Sequence, residues 1–459
     1  MTRENTKRKG CPLKTVCHNQ LSFANLDSRA VLAEFSAGPM TSDGGSLLLR
    51  EIDQATNLTA SMGQALCDPR DPAKVRHAQE ELLRQRLFAI AMGYEDCNDH
   101  DTLRFDPGLK TAIGRLPETG EALASQPTLS RLENRVSNAE LRRLSDALIQ
   151  AYLAAHSGPR KLIVLDIDST DDPTHGQQQL SFFHGYYDQH MFHPVLIFDA
   201  ISGFPLAAVL RAGNTHASEG AAAILKRIIR RLKRAYPQAT ILLRADAGFA
   251  VPAIYEMLER EKVKYTIGLI TNDRLRQRVA SLAQKAEEGF AKSGVKQRLF
   301  TSFRHQAGSW QRPRRVVAKV ERLTKGLNTR FVVTNIHFES PAQIYDGIYT
   351  GRGDAENRIK ELKLHLKADR LSCTSFKANQ FRLLLHTFAF VLLWHLRQNL
   401  AGTELATATV ETLRLKLLKV GARITQSVRR ILFTMPKAYP YKELFGAALH
   451  NIQLMPLRH

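Results

Sequence analysis

The sequence predicts an α/β fold: a mixed sheet with helices packed on it, interrupted by a β-rich insertion and flanked by helical N- and C-terminal regions. Three observations lead there. Between residues 161 and 270, short apolar runs alternate with helical stretches, and two of those runs close on acids. Between 295 and 340 the alternation breaks and β-rich segments cluster. Residues 40–155 read as helices with short polar turns, and helices resume at about 352 and continue to the end. With 459 residues, 44% of them apolar, the chain is long enough for two to four domains and a sizeable core. The expected division is an N-terminal helical DNA-binding region over 1–155, a catalytic domain over 156–400 with its insertion at about 290–340, and a basic helical region over 401–459.

Taken in order, residues 1–35 read as a loosely ordered basic lead. Near the end of the helical region, Ser125 caps a helix whose first turn holds Pro127. That helix presents Gln126, Thr128, Ser130 and Arg131 near its start, as a DNA-reading helix does, or as an ordinary capped surface helix does. Lys161–Asp168 reads as a buried strand, followed by strands at Val195–Ala200 and Pro205–Leu210 around a Ser202-Gly203 turn. The helix Ala217–Ala235 carries Lys226, Arg227, Arg230, Arg231, Lys233 and Arg234 late in its length, which suits its C-terminal dipole or a phosphate. Strand Thr240–Ala245 ends at Asp246, and a helix (Val251–Glu261) and a strand (Lys264–Leu269) follow. In the insertion, Arg315–Glu321 and Thr329–Thr334 read as strands. Trp310 lies between them and the preceding domain, where it either packs into the core or stacks on a flipped base. The stretch 411–459 holds nine Lys or Arg against two acids and reads as a helical DNA or partner surface.

Charge narrows the partners. Lys and Arg total 65 against 44 acids, a net of +21, which points to a polyanion and to nucleic acid first. The five cysteines contain no CxxC pair, so neither a disulfide framework nor a structural zinc is expected, and a reducing cytoplasmic setting fits. Residues 1–10 are polar and basic and do not read as a secretory signal. Phe381–Leu396 is interrupted by Arg382, His386 and His395 and falls short of the ~20 residues a membrane span needs, so it reads as a buried helix. No P-loop or G-x-G-x-x-G is found, so coupling to ATP is not expected. His190-x2-His193 and Cys11-x5-Cys17-His18 lack the further ligands of a zinc site.

Phosphodiester chemistry with divalent cations needs hard oxygen ligands from separate elements, set beyond the carboxyl ends of sheet strands. Asp168 ends the first strand and Asp246 a later one. Asp166 competes with Asp168, because the two-residue period of a strand puts both on one face. The third element is Tyr349-x2-Arg352-x3-Glu356-x6-Lys363, in which 352, 356 and 363 fall within about 40° on a helix. One face then carries an acid flanked by two bases, which suits metal and phosphate but equally an i,i+4 salt-bridge stripe.

That spacing resembles the YREK signature of a branch of bacterial insertion-sequence DDE transposases. The segments Leu165-Asp-Ile-Asp168-Ser-Thr170, Leu210-Arg-Ala-Gly-Asn214 and Arg244-Ala-Asp246-Ala-Gly-Phe249 are similar to those of one subgroup. So are Gly93-Tyr-Glu-Asp-Cys-Asn-Asp-His and Gln126-Pro-Thr-Leu-Ser-Arg-Leu-Glu-Asn134, and the likeness covers roughly residues 20–400. It implies a ribonuclease H-like core with a β-rich insertion between the second Asp and the Glu. It implies Asp168, Asp246 and Glu356 as catalytic acids holding two Mg²⁺ ions, for which Mn²⁺ substitutes. Asp168 is preferred because a small hydroxyl residue, Ser169, follows it, with Asp166 the alternative. Tyr349, Arg352 and Lys363 would touch DNA phosphates near the cleaved end. The implied partners are double-stranded DNA, as terminal inverted repeats and target, and a second copy of the chain on that DNA. The implied activity is cleavage followed by joining of 3′-hydroxyl ends to target. A non-catalytic DNA-binding descendant and a nuclease without joining are the alternatives.

Overall fold

A computed structural model of the protein describes residues 20–456. The expected Cys11–Cys17–His18 grouping lies outside those residues. The lead is not loosely ordered from Gln20 onward. Strands β1 (Gln20–Leu26) and β2 (Arg29–Glu34) form a hairpin that Asp27 closes at φ 51°. Asp tolerates that left-handed conformation better than most residues, so the Asp-Ser pair serves as a turn. A short strand β3 (Met40–Thr41) follows, and then helices occupy 46–155, as expected. The helix at Gln126–Asn134 starts after Ser125 with Pro in its first turn, although the Ser125 side chain caps no amide. Its inner face is tied down: buried Glu133 accepts a hydrogen bond from Arg86 Nε at 2.9 Å.

The catalytic region holds β4 (Leu162–Ser169), then a small sheet of β5 (Asp172–Pro173), β6 (Phe182–His184) and β7 (Gln189–Phe192). The main sheet continues with β8 (Val195–Asp199), β9 (Pro205–Val209), β10 (Thr240–Ala245) and β11 (Lys264–Leu269). Strands β12 (Gln297–His305), β13 (Arg314–Leu323) and β14 (Gly326–Thr334) follow. Among the described residues the main sheet has eight strands in the order β12-β13-β14-β11-β10-β4-β8-β9. Strands β4, β10 and β11 run parallel and the other pairings are antiparallel. The β-rich insertion is therefore an extension of the main sheet, joined through β14 on β11. Both faces of β13 are apolar, with Val316, Ala318 and Val320 in the main core and Val317 beside Val332 in a second cluster, so it is covered on both sides. Trp310 belongs to the core: it is 5% exposed and meets the Tyr255 ring edge-on at 5.4 Å.

The C-terminal region is not wholly helical, which corrects the sequence reading. Strands β15 (Ala422–Gln426) and β16 (Ile431–Thr434) pair with each other, and β15 pairs with β3. Ala422 and Ile424 are buried while Arg423 and Thr425 are exposed, a period of two that favours a strand. The basic helix starts at Ala221, and its late charges are largely spoken for. Arg227 and Arg231 pair with Asp146, and Arg230 reaches Glu261 at 2.9 Å.

The helix Phe376–Gln398 is buried along nearly its whole length, and no helix among the described residues is long and apolar enough to cross a membrane. Within it, burial and the neighbouring Arg382 and Arg86 hold the His386 imidazole at about 3, and its Nδ1 lies 2.6 Å from the Leu366 carbonyl. The folded pKa lies below the unfolded value, so this ring's stabilising effect is complete above about 6.5 and is lost as pH falls toward 3. Urea unfolding of wild type and His386→Gln between pH 7 and 4.5 is expected to show the steeper acid loss in wild type, by on the order of 2 kcal/mol. Parallel pH profiles would overturn this assignment.

Candidate active site

The parallel pairing of β4 with β10 sets Arg244 opposite Asp166 and Ala245 opposite Ile167, so Asp246 follows directly beside Asp168. This arrangement separates the two rival acids. Asp166 is 1% exposed, and both its oxygens accept from Arg244, at 2.6 and 2.7 Å. It is committed to a buried ion pair. Asp168 is one turn of the pleat further on, at the strand's end, with Oδ1 accepting from the Ser169 amide at 2.9 Å. Asp246 leaves β10, and its Oδ1 accepts from the Gly248 amide at 2.9 Å, closing the turn that follows.

Glu356 reaches the same place from a helical segment. Residues 343–365 run through π, 3₁₀ and α turns and end in a second π turn at Glu361–His365. Arg352 Nη1 lies 3.1 Å from Asp168 Oδ2, and its Nη2 lies 3.2 Å from Glu356 Oε1. One guanidinium thus bridges the first and third acids. Burial, together with the nearby Asp246 and Glu356 charges, pushes the Asp168 carboxyl up to about 6, while Arg352 opposes the shift. The Asp168 carboxylate is therefore short of positive charge even with Arg352 in place.

Tyr349 stands over β11. A Cβ on Gly268 would lie 2.7 Å from the Tyr349 hydroxyl and 3.3 Å from the Asp246 carbonyl carbon, so only glycine leaves room there. Lys363 does not join the acids. Its Nζ bonds Asp171 Oδ1 at 2.7 Å, and Gln189 of β7 bonds the other oxygen of Asp171 at 3.1 Å. The π turn at 361–365 breaks the helical phase on which a shared face with Arg352 was expected. His190 sits on β7, and buried His193 has its Nδ1 2.7 Å from the Thr215 carbonyl.

The sequence reading missed Asp171, Gln189 and the role of Arg244. Arg244 had a legible signal, since a guanidinium inside a buried strand demands an acid partner. The β5–β7 sheet has strands of two to four residues, too short for a periodicity signal.

Three hard carboxylate donors fit a divalent cation chemically, and mutual repulsion at Asp168 is what such a cation would relieve. Among the described residues, no three His, Cys, Asp or Glu side chains are already drawn together as a ligand set. Residues 23–457 match the family model described as Transposase DDE domain group 1. The chain belongs to this family of DDE transposases. Among solved structures, the piggyBac transposase synaptic complex with hairpin DNA is similar, at 10% identity and a TM-score of 0.41, over 82% of this transposase and 78% of that chain. No curated protein matches it.

Proposed function

We propose that this transposase cuts DNA at the ends of a bacterial insertion sequence of the YREK branch and joins the freed 3′-hydroxyls to target DNA, from a ribonuclease H-like core. Asp168, Asp246 and Glu356 are the acids that would hold two Mg²⁺ ions, with Mn²⁺ as a substitute. When bound, such ions supply charge stabilisation at the phosphate and lower the pKa of the attacking oxygen. The chain's own residues then have defined tasks. Arg352 carries a guanidinium at the mouth of the acid cluster and offers a bidentate grip on a phosphate, releasing Asp168 and Glu356 as it turns. Tyr349 donates its hydroxyl beside Asp246. Lys363 supplies a point charge at the Asp171 edge. A homodimer on DNA would bring two such sites to the two element ends. The observation that carries this reading is the approach of Glu356 to Asp168 from 188 residues away, through a shared arginine (356 − 168).

The test is incubation of the protein with a DNA fragment carrying the inverted repeats that flank its gene. Strand cleavage and joined products are expected with Mg²⁺ or Mn²⁺ and neither with EDTA. Undiminished cleavage in EDTA would defeat the proposal, and cleavage without joining would make the protein a nuclease.

A further inference from the structure

The largest cavity of the molecule lies away from the acids, in the N-terminal helical region, with a volume of about 890 Å³. Its walls carry six basic side chains, Arg70, Lys74, Arg76, Arg104, Arg131 and Arg135, against a single acid, Glu121. Not all six are free. Arg70 and Arg135 share Asp68, at 2.6 and 3.2 Å, and Lys74 lies 3.7 Å from Asp71. Glu121 is turned to Arg115 at 3.6 Å. Arg76, Arg104 and Arg131, by contrast, make no ion pair with any described residue. Arg131 has only a 3.3 Å contact with the Thr128 hydroxyl, and Arg104 stacks on Phe105 with its buried Nε lacking a hydrogen-bond partner. Three guanidinium groups from three separate segments therefore converge on one groove without compensation. Elsewhere in this protein, as along the helix Ala221–Ala235, arginines are matched to acids. Unmatched like charge held together is a cost in the free protein that an anion removes.

The lining says which anion. The start of the helix Gln126–Asn134 enters the groove, with Ser125 and Thr128 in the wall and the Ser125 side chain capping no amide. Helix-start amides, hydroxyls and guanidiniums are the groups that hold phosphate oxygens. No Phe, Tyr or Trp is among the lining residues, so the groove offers no aromatic face for an unpaired base. That chemistry fits a phosphodiester backbone better than a mononucleotide. We infer that this groove is a second DNA-binding site, remote in sequence from the acids, that grips the backbone of duplex DNA through Arg76, Arg104 and Arg131. The inference rests on the reading that the transposase acts on DNA, but it assigns a grip that needs no metal.

The experiment is fluorescence anisotropy with a labelled duplex in EDTA, over a series of salt concentrations. Each lost phosphate contact lowers the slope of log K against log salt by about 0.9. The full-length variant Arg76→Gln/Arg104→Gln/Arg131→Gln is expected to lose two to three from that slope and to bind every duplex sequence more weakly. Arg131→Gln alone, at an exposed position, is expected to lose about one, which keeps the test decisive if the triple variant unfolds. An unchanged slope in these folded variants would overturn the inference. So would displacement of duplex by ATP in wild type but not in the variant, which would make the groove a nucleotide site. Groove-dependent binding by a protein that fails to cut with Mg²⁺ would leave the inference standing and remove the proposed activity. Cutting with an unchanged slope would do the reverse.

Discussion

Asp246→Asn and Glu356→Gln are each expected to reduce Mg²⁺-dependent cleavage by about 10⁴-fold, the scale of loss when one member of a concerted catalytic set is removed. Binding of duplex DNA in EDTA should be unchanged in both. Neither residue carries a buried ion pair. Glu356 is half exposed and touches only Arg352 among the described residues, at 3.2 Å, and Asp246 Oδ1 accepts from one amide, which an Asn carbonyl oxygen can replace. The folded structure therefore has little to lose from either change, and a large fall in rate must come from the chemistry. Asp168→Asn belongs to the same group. Quantified cleavage of an end-bearing duplex, with anisotropy and a thermal midpoint as controls, checks all three. If Asp246→Asn and Glu356→Gln each kept wild-type cleavage rates, the acids would have no part in the reaction.

The parts of this site that were legible share a property: each is local in sequence. Asp168 and Asp246 end apolar runs, and the positions of β4, β10 and β11 follow from those runs to within a residue or two. Tyr349, Arg352, Glu356 and Lys363 sit in one short segment and were found by spacing. What the spacing missed is the change of helical phase. The π turn at Glu361–His365 sends Lys363 to Asp171, whereas a regular helix would have kept it on the Arg352 face. That turn is anchored by tertiary contacts, since Glu361 accepts from Arg397 at 2.7 Å and from the Val410 amide at 3.1 Å. Partners 36 and 49 residues away leave no trace in a local pattern (397 − 361 and 410 − 361). The C-terminal strands failed for a related reason. β15 is five residues long and finds its partner in β3, some 380 residues earlier, so its alternation of Ala422 and Ile424 is too brief to outweigh a helical neighbourhood. The basic groove was only half visible. The helix at 126 was read as a surface that meets DNA, but the convergence of Arg76 and Arg104 on it requires the fold.

Asp166 and Asp168, two residues apart on β4, are expected to respond to amide substitution in opposite directions. Arg244→Ala or Asp166→Ala leaves one charge of a buried, doubly hydrogen-bonded pair without its partner, which costs about 3–5 kcal/mol. Arg244 also donates to the Ile348 carbonyl at 3.2 Å, so its loss frees the segment that carries Tyr349 and Arg352 as well. Asp168 is the reverse case. Its carboxyl titrates at about 6 in the folded chain against 3.8 ordinarily, so the favourable contribution of its protonated form is present below about pH 4 and is lost as pH rises through 6. At pH 7.5 the folded state then carries on the order of 2 kcal/mol of unfavourable charge at that position. Asp168→Asn removes that charge, gives up one 3.1 Å bond to Arg352, and should leave urea stability in EDTA unchanged or raised. Asp166→Leu combined with Arg244→Met, which removes both charges together, should recover most of what either single change costs. Equal destabilisation by Asp166→Asn and Asp168→Asn would reject the division of labour between them. Stability lost at the strand's centre and gained at its end is what a structural pair beside a reactive acid produces, because burial is matched by a partner at Asp166 and left unmatched at Asp168.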